Sequence, residues 1–113
     1  MNKMELVVQV ISIVAFLFYG LLCLFSEKTI MEFKRYGLLP FRKLTGTLEI
    51  LGAIGLILGF YFPVFLLLAS LGLALLMLLG VLTRLRIKDP IIAIIPAFTL
   101  FVFNLFLFVR AII

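Results

Sequence analysis

The chain has 113 residues, 66% of them hydrophobic and 13% charged, with a formal net charge of +5. A soluble domain is closer to half apolar and a quarter charged, so this composition excludes a water-soluble globule and points to an integral membrane protein of one domain, residues 1–113. One cysteine and no histidine exclude an intramolecular disulfide, a CxxC redox pair, histidine-ligated haem and most zinc or iron sites, so neither haem nor metal is expected.

The first apolar segment runs from about residue 5 to residue 25. Its start, MNKMELVVQVISIV, carries little positive charge, and no small-x-small cleavage site follows. It therefore reads as a transmembrane helix rather than a signal peptide. Cys23 lies inside this run, where a free thiol packs as a small hydrophobe.

The longest connection is SEKTIMEFKRYGLLP, residues 26–40. Ser26 can cap a helix, and Ile30, Phe33 and Gly37 follow at spacings of three and four. This pattern predicts a short amphipathic helix lying among lipid headgroups, with Lys28, Lys34 and Arg35 toward water. An irregular polar loop is the alternative.

A second apolar segment covers about 41–62, after Pro40; a third covers about 64–83, after Pro63; a fourth covers about 90–111, opened by Pro90. The YFP link is so short that the second and third segments must form an antiparallel hairpin. The expected fold is all-α: a four-transmembrane-helix bundle, up-down-up-down, with a short interfacial helix between the first and second spans.

Four spans place loops 26–40 and 84–90 on one side of the membrane. Lys28, Lys34, Arg35, Arg42, Lys43, Arg84, Arg86 and Lys88 gather there, against Lys3 and Arg110 on the other. The positive-inside rule then expects a plasma (inner) membrane protein with both loops cytoplasmic and both termini outside. Membrane lipids are the natural partners of these cations. Nucleic acid is not, because no basic run is interleaved with aromatic residues.

Within the segment KLTGTLEILG, Glu49 stands roughly 12 Å from the start of its helix at 1.5 Å per residue. A carboxylate at that depth costs about 2.5–3.5 kcal/mol and usually faces the bundle interior with a partner. The same counting places Tyr19, Met77 and Pro96 near one level with it. Pro96 also frees the carbonyl of Ile92. Lys43, Gly46 and Glu49 share a helical face, so Lys43, or Arg84 from the third segment, can reach Glu49 by snorkelling. Two readings stay open: an ion pair that fixes helix packing, or a polar pocket for a headgroup, a quinone or a proton.

A deeper layer holds Ser12, Ser70 and Asn104, expected to hydrogen-bond between helices as structural glue. Gly52, Gly55 and Gly59 stripe the second segment, and Ala69, Gly72 and Gly80 the third, which allows close helix approach. Five phenylalanines spread around the fourth segment as lipid-facing or core-filling groups.

The stretches EFKRYGLLPFRKLTGTLEILGAIGLILGF (32–60), LASLGLALLMLLGVLTRLRIKDP (68–90) and IIPAFTLFVFN (94–104) together resemble the DoxX-like family of small four-span membrane proteins. Lys43-x-x-Gly46-x-x-Glu49-x-x-Gly52 is the most specific part. The resemblance implies a four-helix bundle akin to vitamin K epoxide reductase and links to quinone, thiosulfate or oxidative-stress systems. It also implies, from a eukaryotic relative, a role in receptor assembly. The reductase's cysteine pairs are missing here, so thiol–quinone chemistry does not carry over. In the reductase arrangement the first connection lies outside the cytoplasm, opposite to the orientation that the charges favour.

The expected function is a non-catalytic membrane protein that binds a quinone or other lipid-like small molecule as accessory to a redox or stress-response system. Its ligand-binding candidates are Glu49, Lys43, Gly46, Tyr19, Met77 and Arg84, and no catalytic residue is assigned. The alternative is a structural or assembly subunit of a larger membrane protein, or a homo-oligomer. An enzyme is the weaker reading, because only Glu49, Tyr19 or Lys43 could move a proton.

Overall fold

The computed structural model describes residues 3–113. Helix α1 spans Lys3–Phe25, α2 Glu27–Tyr36, α3 Arg42–Leu58, α4 Pro63–Arg86 and α5 Ile91–Ile112, with a 3-10 turn at Leu39–Phe41 ahead of α3. Among the described residues there is no strand, so the all-α expectation holds.

Helix α2 realises the expected short helix in the 26–40 connection. Ser26 stands at its N-cap in extended conformation, but its hydroxyl makes no cap bond. Gly37 ends the helix with a left-handed φ of 75°. The amides of Gly37 and Leu38 donate back to the carbonyls of Lys34 and Phe33 at 3.1 and 3.0 Å, a closure that needs a left-handed residue.

Helix α4 ends the same way with a different residue. The amides of Lys88 and Asp89 donate to Leu85 and Arg84 at 3.1 and 3.0 Å, and Lys88 takes φ 59°. A Cβ in that region costs roughly 1–2 kcal/mol, which glycine avoids. Lys88→Gly is expected to stabilise the protein by about 1 kcal/mol, seen as a higher melting temperature in detergent. A lower one would show that the lysine side chain supports the turn.

Helix α1 packs chiefly on α3 and α4 chiefly on α5, while narrower seams join α3 to α4 and α1 to α5. Successive long helices run antiparallel. Gln9 meets Leu56 at one end of the α1–α3 seam and Cys23 meets Arg42 at the other. Gly52 and Gly55 on α3, and Gly59 just past its end, all face α4. A Cβ at position 55 would stand 2.8 Å from Ala69 Cβ, and one at 59 would stand 2.9 Å from Leu66 Cβ. The small-x3-small motif thus serves the chain's own hairpin. Gly72 does not join this seam: a Cβ there meets nothing within 4 Å.

Among the described residues three helices, α1, α4 and α5, are long and apolar enough to cross a membrane, with mean hydropathy of 2.5, 2.7 and 2.5. The expectation of four such helices is met for three. Helix α3 has 17 residues, about 25 Å at the helical rise, against roughly 30 Å of hydrocarbon. Its ends explain the shortfall. Residues 39–41 wind as a 3-10 turn, and the Phe60 amide turns to the Ile57 carbonyl at 3.2 Å. The third segment instead gains a turn, because α4 starts on Pro63 itself and continues to Arg86.

The interior is a continuous apolar core that includes Phe16, Ala53, Leu56, Leu73, Met77, Leu100 and Leu107. Large apolar side chains also cover the outside. On α3 the exposed stripe is Leu44, Leu48, Leu51, Ile54 and Leu58, at the spacing of a single helix face.

Candidate functional site

Glu49 is buried in α3, with 7% of its surface exposed. Its Oε2 has no hydrogen-bond partner among the described residues. Helical spacing sets it one turn beyond Gly46, on the side of α3 that faces α1: a Cβ on Gly46 would lie 3.1 Å from both Cys23 Cβ and the Gly20 carbonyl. Gly52 packs on Leu73, so Glu49, three residues earlier on α3, is level with Met77 on the antiparallel α4.

The residues expected to accompany Glu49 divide. Met77 and Gly46 are buried on interior faces. Tyr19 is 40% exposed and stacks edge-on with Phe18, 5.6 Å between ring centroids, on the outer side of α1. Pro96 is exposed on α5, so the carbonyl it frees on Ile92 does not turn to Glu49. Lys43 is exposed too, and forms no ion pair with Glu49 among the described residues. The reason is geometric: Lys43 begins α3 at the polar end, where its ammonium stays in water.

Arg84 is held elsewhere as well. It pairs with Asp89 at 3.1 Å and Glu32 at 3.8 Å, and its guanidinium lies 5.5 Å from the centre of the Tyr36 ring. Arg35 pairs with the same Asp89 at 2.5 Å. Arg86 donates to the carbonyl of Tyr36. Arg42 donates to the carbonyls of Cys23 and Leu24, each at 2.8 Å. These carbonyls end α1, where an arginine both fills vacant acceptors and complements the helix dipole. The Cys23 thiol in turn donates to the Arg42 carbonyl at 3.2 Å. Four arginines of the basic end therefore tie helix ends together.

Asp89 is the hub of that network. The Arg35 hydrogen bond, reinforced by Arg84, holds its carboxyl below the usual range. A carboxyl depressed in the folded state stabilises above its unfolded value of about 3.9. That contribution is lost as the pH falls through the lower folded value. Asp89→Asn is expected to lower the melting temperature by a few degrees at pH 7. The gap to the unsubstituted protein should close below about pH 4 and narrow in high salt. A gap that persists in acid would remove the ionic account.

The opposite end holds a second polar group. Arg110 Nε donates to Glu5 Oε1 at 2.5 Å, beside a cavity of about 200 Å³ lined by Glu5, Leu66, Leu107, Arg110 and Ala111. Next inward, Gln9 Nε2 donates to the Leu56 carbonyl at 2.7 Å. This supplies a donor at the end of α3, where the Phe60 amide has turned to Ile57. The expected layer of Ser12, Ser70 and Asn104 is fully buried. Its bonds stay within helices: Ser70 Oγ donates to Leu66 at 2.6 Å and Asn104 Nδ2 to Leu100 at 2.8 Å. Gln9 Oε1, Ser12 Oγ and Asn104 Oδ1 have no partner among the described residues. Gln9 and the Glu5–Arg110 pair escaped the sequence reading, although Glu5, Gln9 and Ser12 fall at spacings of four and three, one face of α1.

A further groove, of about 400 Å³, runs along Val10, Ile11, Val14, Ala15, Phe18 and Tyr19 on α1. Glu49 lines neither this groove nor the far-end cavity.

An all-α chain with three membrane-length apolar helices and an apolar exterior is an integral membrane protein. The chain belongs to the DoxX-like family, whose model matches residues 7–107. No curated protein and no solved structure matches it.

Proposed function

We propose that the protein crosses the plasma membrane four times and binds a quinone or other lipid-like small molecule, without catalysis, as accessory to a redox or stress-response system. The observation that carries the binding reading is Glu49: a carboxyl buried in a membrane helix, with one oxygen unpartnered among the described residues and the cations expected to partner it, Lys43 and Arg84, engaged or turned elsewhere. An ionisable group in such a place serves function more often than packing. The carboxyl can accept from a hydroxyl or, protonated, donate to a carbonyl. A ligand head would meet it by displacing neighbouring apolar side chains rather than by filling a ready-made cavity.

The exposed apolar stripe on α3 supports the fourth crossing, since α3 then presents a lipid face like its neighbours. Snorkelling side chains and local thinning accommodate its short length. Exposed Lys28, Lys34, Lys43 and Lys88 support a cytoplasmic basic end. The redox association rests on the family resemblance.

Decyl-ubiquinone added to the delipidated protein tests this reading. It is expected to raise the melting temperature of the unsubstituted protein by several degrees and to leave Glu49→Gln unmoved. Equal shifts in both would remove Glu49 from the site.

A further inference from the structure

We propose that the ligand of Glu49 enters sideways from the bilayer, through an opening between α1 and α5 flanked by Tyr19 and Pro96, and leaves its apolar tail in the groove along α1. This rests on the reading of Glu49 as a binding group. Helices α1, α3, α4 and α5 form a ring whose fourth seam, α1 against α5, is narrow. The Glu5–Arg110 bond closes that seam at one end. From the pair, a stripe at the spacing of one helix face runs along each helix toward the α2 end. On α1, Glu5 and Ser12 are buried and Val8 and Ala15 partly covered, but Tyr19 and Leu22 are exposed. On α5, Phe106 and Phe103 are partly covered, but Thr99, Pro96 and Ile92 are exposed. Both walls of the seam thus lose their cover toward the same end. At the helical rise, Tyr19 lies about 21 Å from Glu5 and Pro96 about 21 Å from Arg110, so the two stand across from each other.

The opening lies at the level of Glu49 and on the side that it faces. Gly46 packs on Gly20 and Cys23 of α1, and Gly20 packs on Ile50 of α3, which sets Glu49 level with Tyr19. Gly46 faces α1 and Gly52 faces α4. Glu49 falls midway, about 60° from each around the helix, and so is directed across the ring toward α5. The rim carries polar groups. Tyr19 brings a hydroxyl to one wall, and Pro96 leaves the Ile92 carbonyl of the other without its helical donor. A head with hydroxyl or carbonyl oxygens finds partners there on its way from the hydrocarbon. The groove starts at the same place. Of about 400 Å³, it runs between Tyr19 and Val10, about 14 Å along α1, and shares Ala15 and Tyr19 with the seam. Its size suits a small-molecule site, about 300–1,000 Å³, and its walls of Val10, Ile11, Val14 and Phe18 suit an uncharged tail. Glu49 lines no part of it, so a molecule with its head on Glu49 and its tail in the groove must cross the seam at Tyr19.

The probe is decyl-ubiquinone with a diazirine at the end of its tail, photolysed on the purified protein in detergent, with the adducts located by peptide mass spectrometry. Adducts are expected on residues 10–19, cut by half or more by excess decyl-ubiquinone and by Glu49→Gln. Thr99→Trp, which narrows the opening from an exposed position, is expected to cut them likewise without changing the ligand-free melting temperature. If Thr99→Trp does not fold, the adduct positions on the unsubstituted protein carry the test. Competed adducts on α3 or α4 alone, with a melting-temperature shift that Glu49→Gln abolishes, would keep Glu49 as the binding group and overturn the lateral route. So would adducts undiminished in folded Thr99→Trp. Adducts that excess decyl-ubiquinone does not reduce would show only partition of the probe into detergent, and adducts undiminished in Glu49→Gln would separate the groove from Glu49. Either overturns the proposal. No melting-temperature shift and no competed adduct would remove the Glu49 reading along with it.

Discussion

Replacing Glu49 by methionine is expected to stabilise the ligand-free protein by about 1–3 kcal/mol, the usual cost of a buried polar group left unsatisfied. Glu49 Oε2 lies inside the protein without a partner among the described residues. At its level the interior supplies apolar side chains, Met77 on α4 among them. Methionine has a similar length, no polar oxygen and enough rotamers to fill the same space. The gain should appear as a higher melting temperature in detergent, together with loss of the decyl-ubiquinone shift. Stability rising while binding disappears is the signature of a site kept at a structural cost. Glu49→Ala separates the two effects, because it also opens a cavity and is expected to be less stable than Glu49→Met by about 2 kcal/mol or more. A destabilised Glu49→Met would instead mark the carboxyl as a structural group with a partner in the folded protein.

The second large effect lies in the α3–α4 hairpin. Gly55→Ala is expected to cost about 1–3 kcal/mol, the range for inserting a methyl into a packed seam. The added Cβ would stand 2.8 Å from Ala69 Cβ. Alanine has no rotamer with which to move aside, so the backbones must part. Gly72→Ala is the matched control, because the same atom meets nothing within 4 Å on the outer face of α4. There alanine should be neutral or stabilising by up to about 1 kcal/mol through its better helix propensity. Thermal unfolding of the two variants side by side checks the pair. Similar behaviour would mean that the seam is looser than its glycines indicate.

These two cases show what the sequence makes legible. Periodic apolar segments and prolines locate the long helices, because in lipid the backbone must satisfy itself within a helix. The YFP link fixes α3 against α4, and Gly55 and Gly59 mark the tight seam. Gly72 looked equivalent, yet the one-dimensional spacing of α4 does not say which face meets α3. The same gap affected the candidate site. Counting residues gives depth along a helix but not rotation about it. Met77 thus fell inside as expected, while Tyr19 and Pro96, at similar depth, face outward.

Charge was the harder quantity to read. Lys43 and Glu49 share a helix face at helical spacing, but a lysine near a helix end extends to water rather than inward. Arg84 found Asp89, Glu32 and the Tyr36 ring instead of Glu49. These partners lie on α2 and on the α4–α5 turn, distant in sequence from each other, and only the closed fold brings them together. Gln9 and the Glu5–Arg110 pair were missed for the same reason, since Glu5 and Arg110 stand at opposite ends of the chain. Their spacing with Ser12 along α1 was the one local signal available.

The measurement that bears most directly on the binding proposal is mass spectrometry of small molecules that co-purify in mild detergent with the unsubstituted protein and with Glu49→Gln. A stoichiometric quinone or lipid-like compound with the first, lost from the folded variant, is the predicted result. No bound compound with either protein, the variant being folded, would contradict it and favour a structural or assembly subunit of a larger membrane complex.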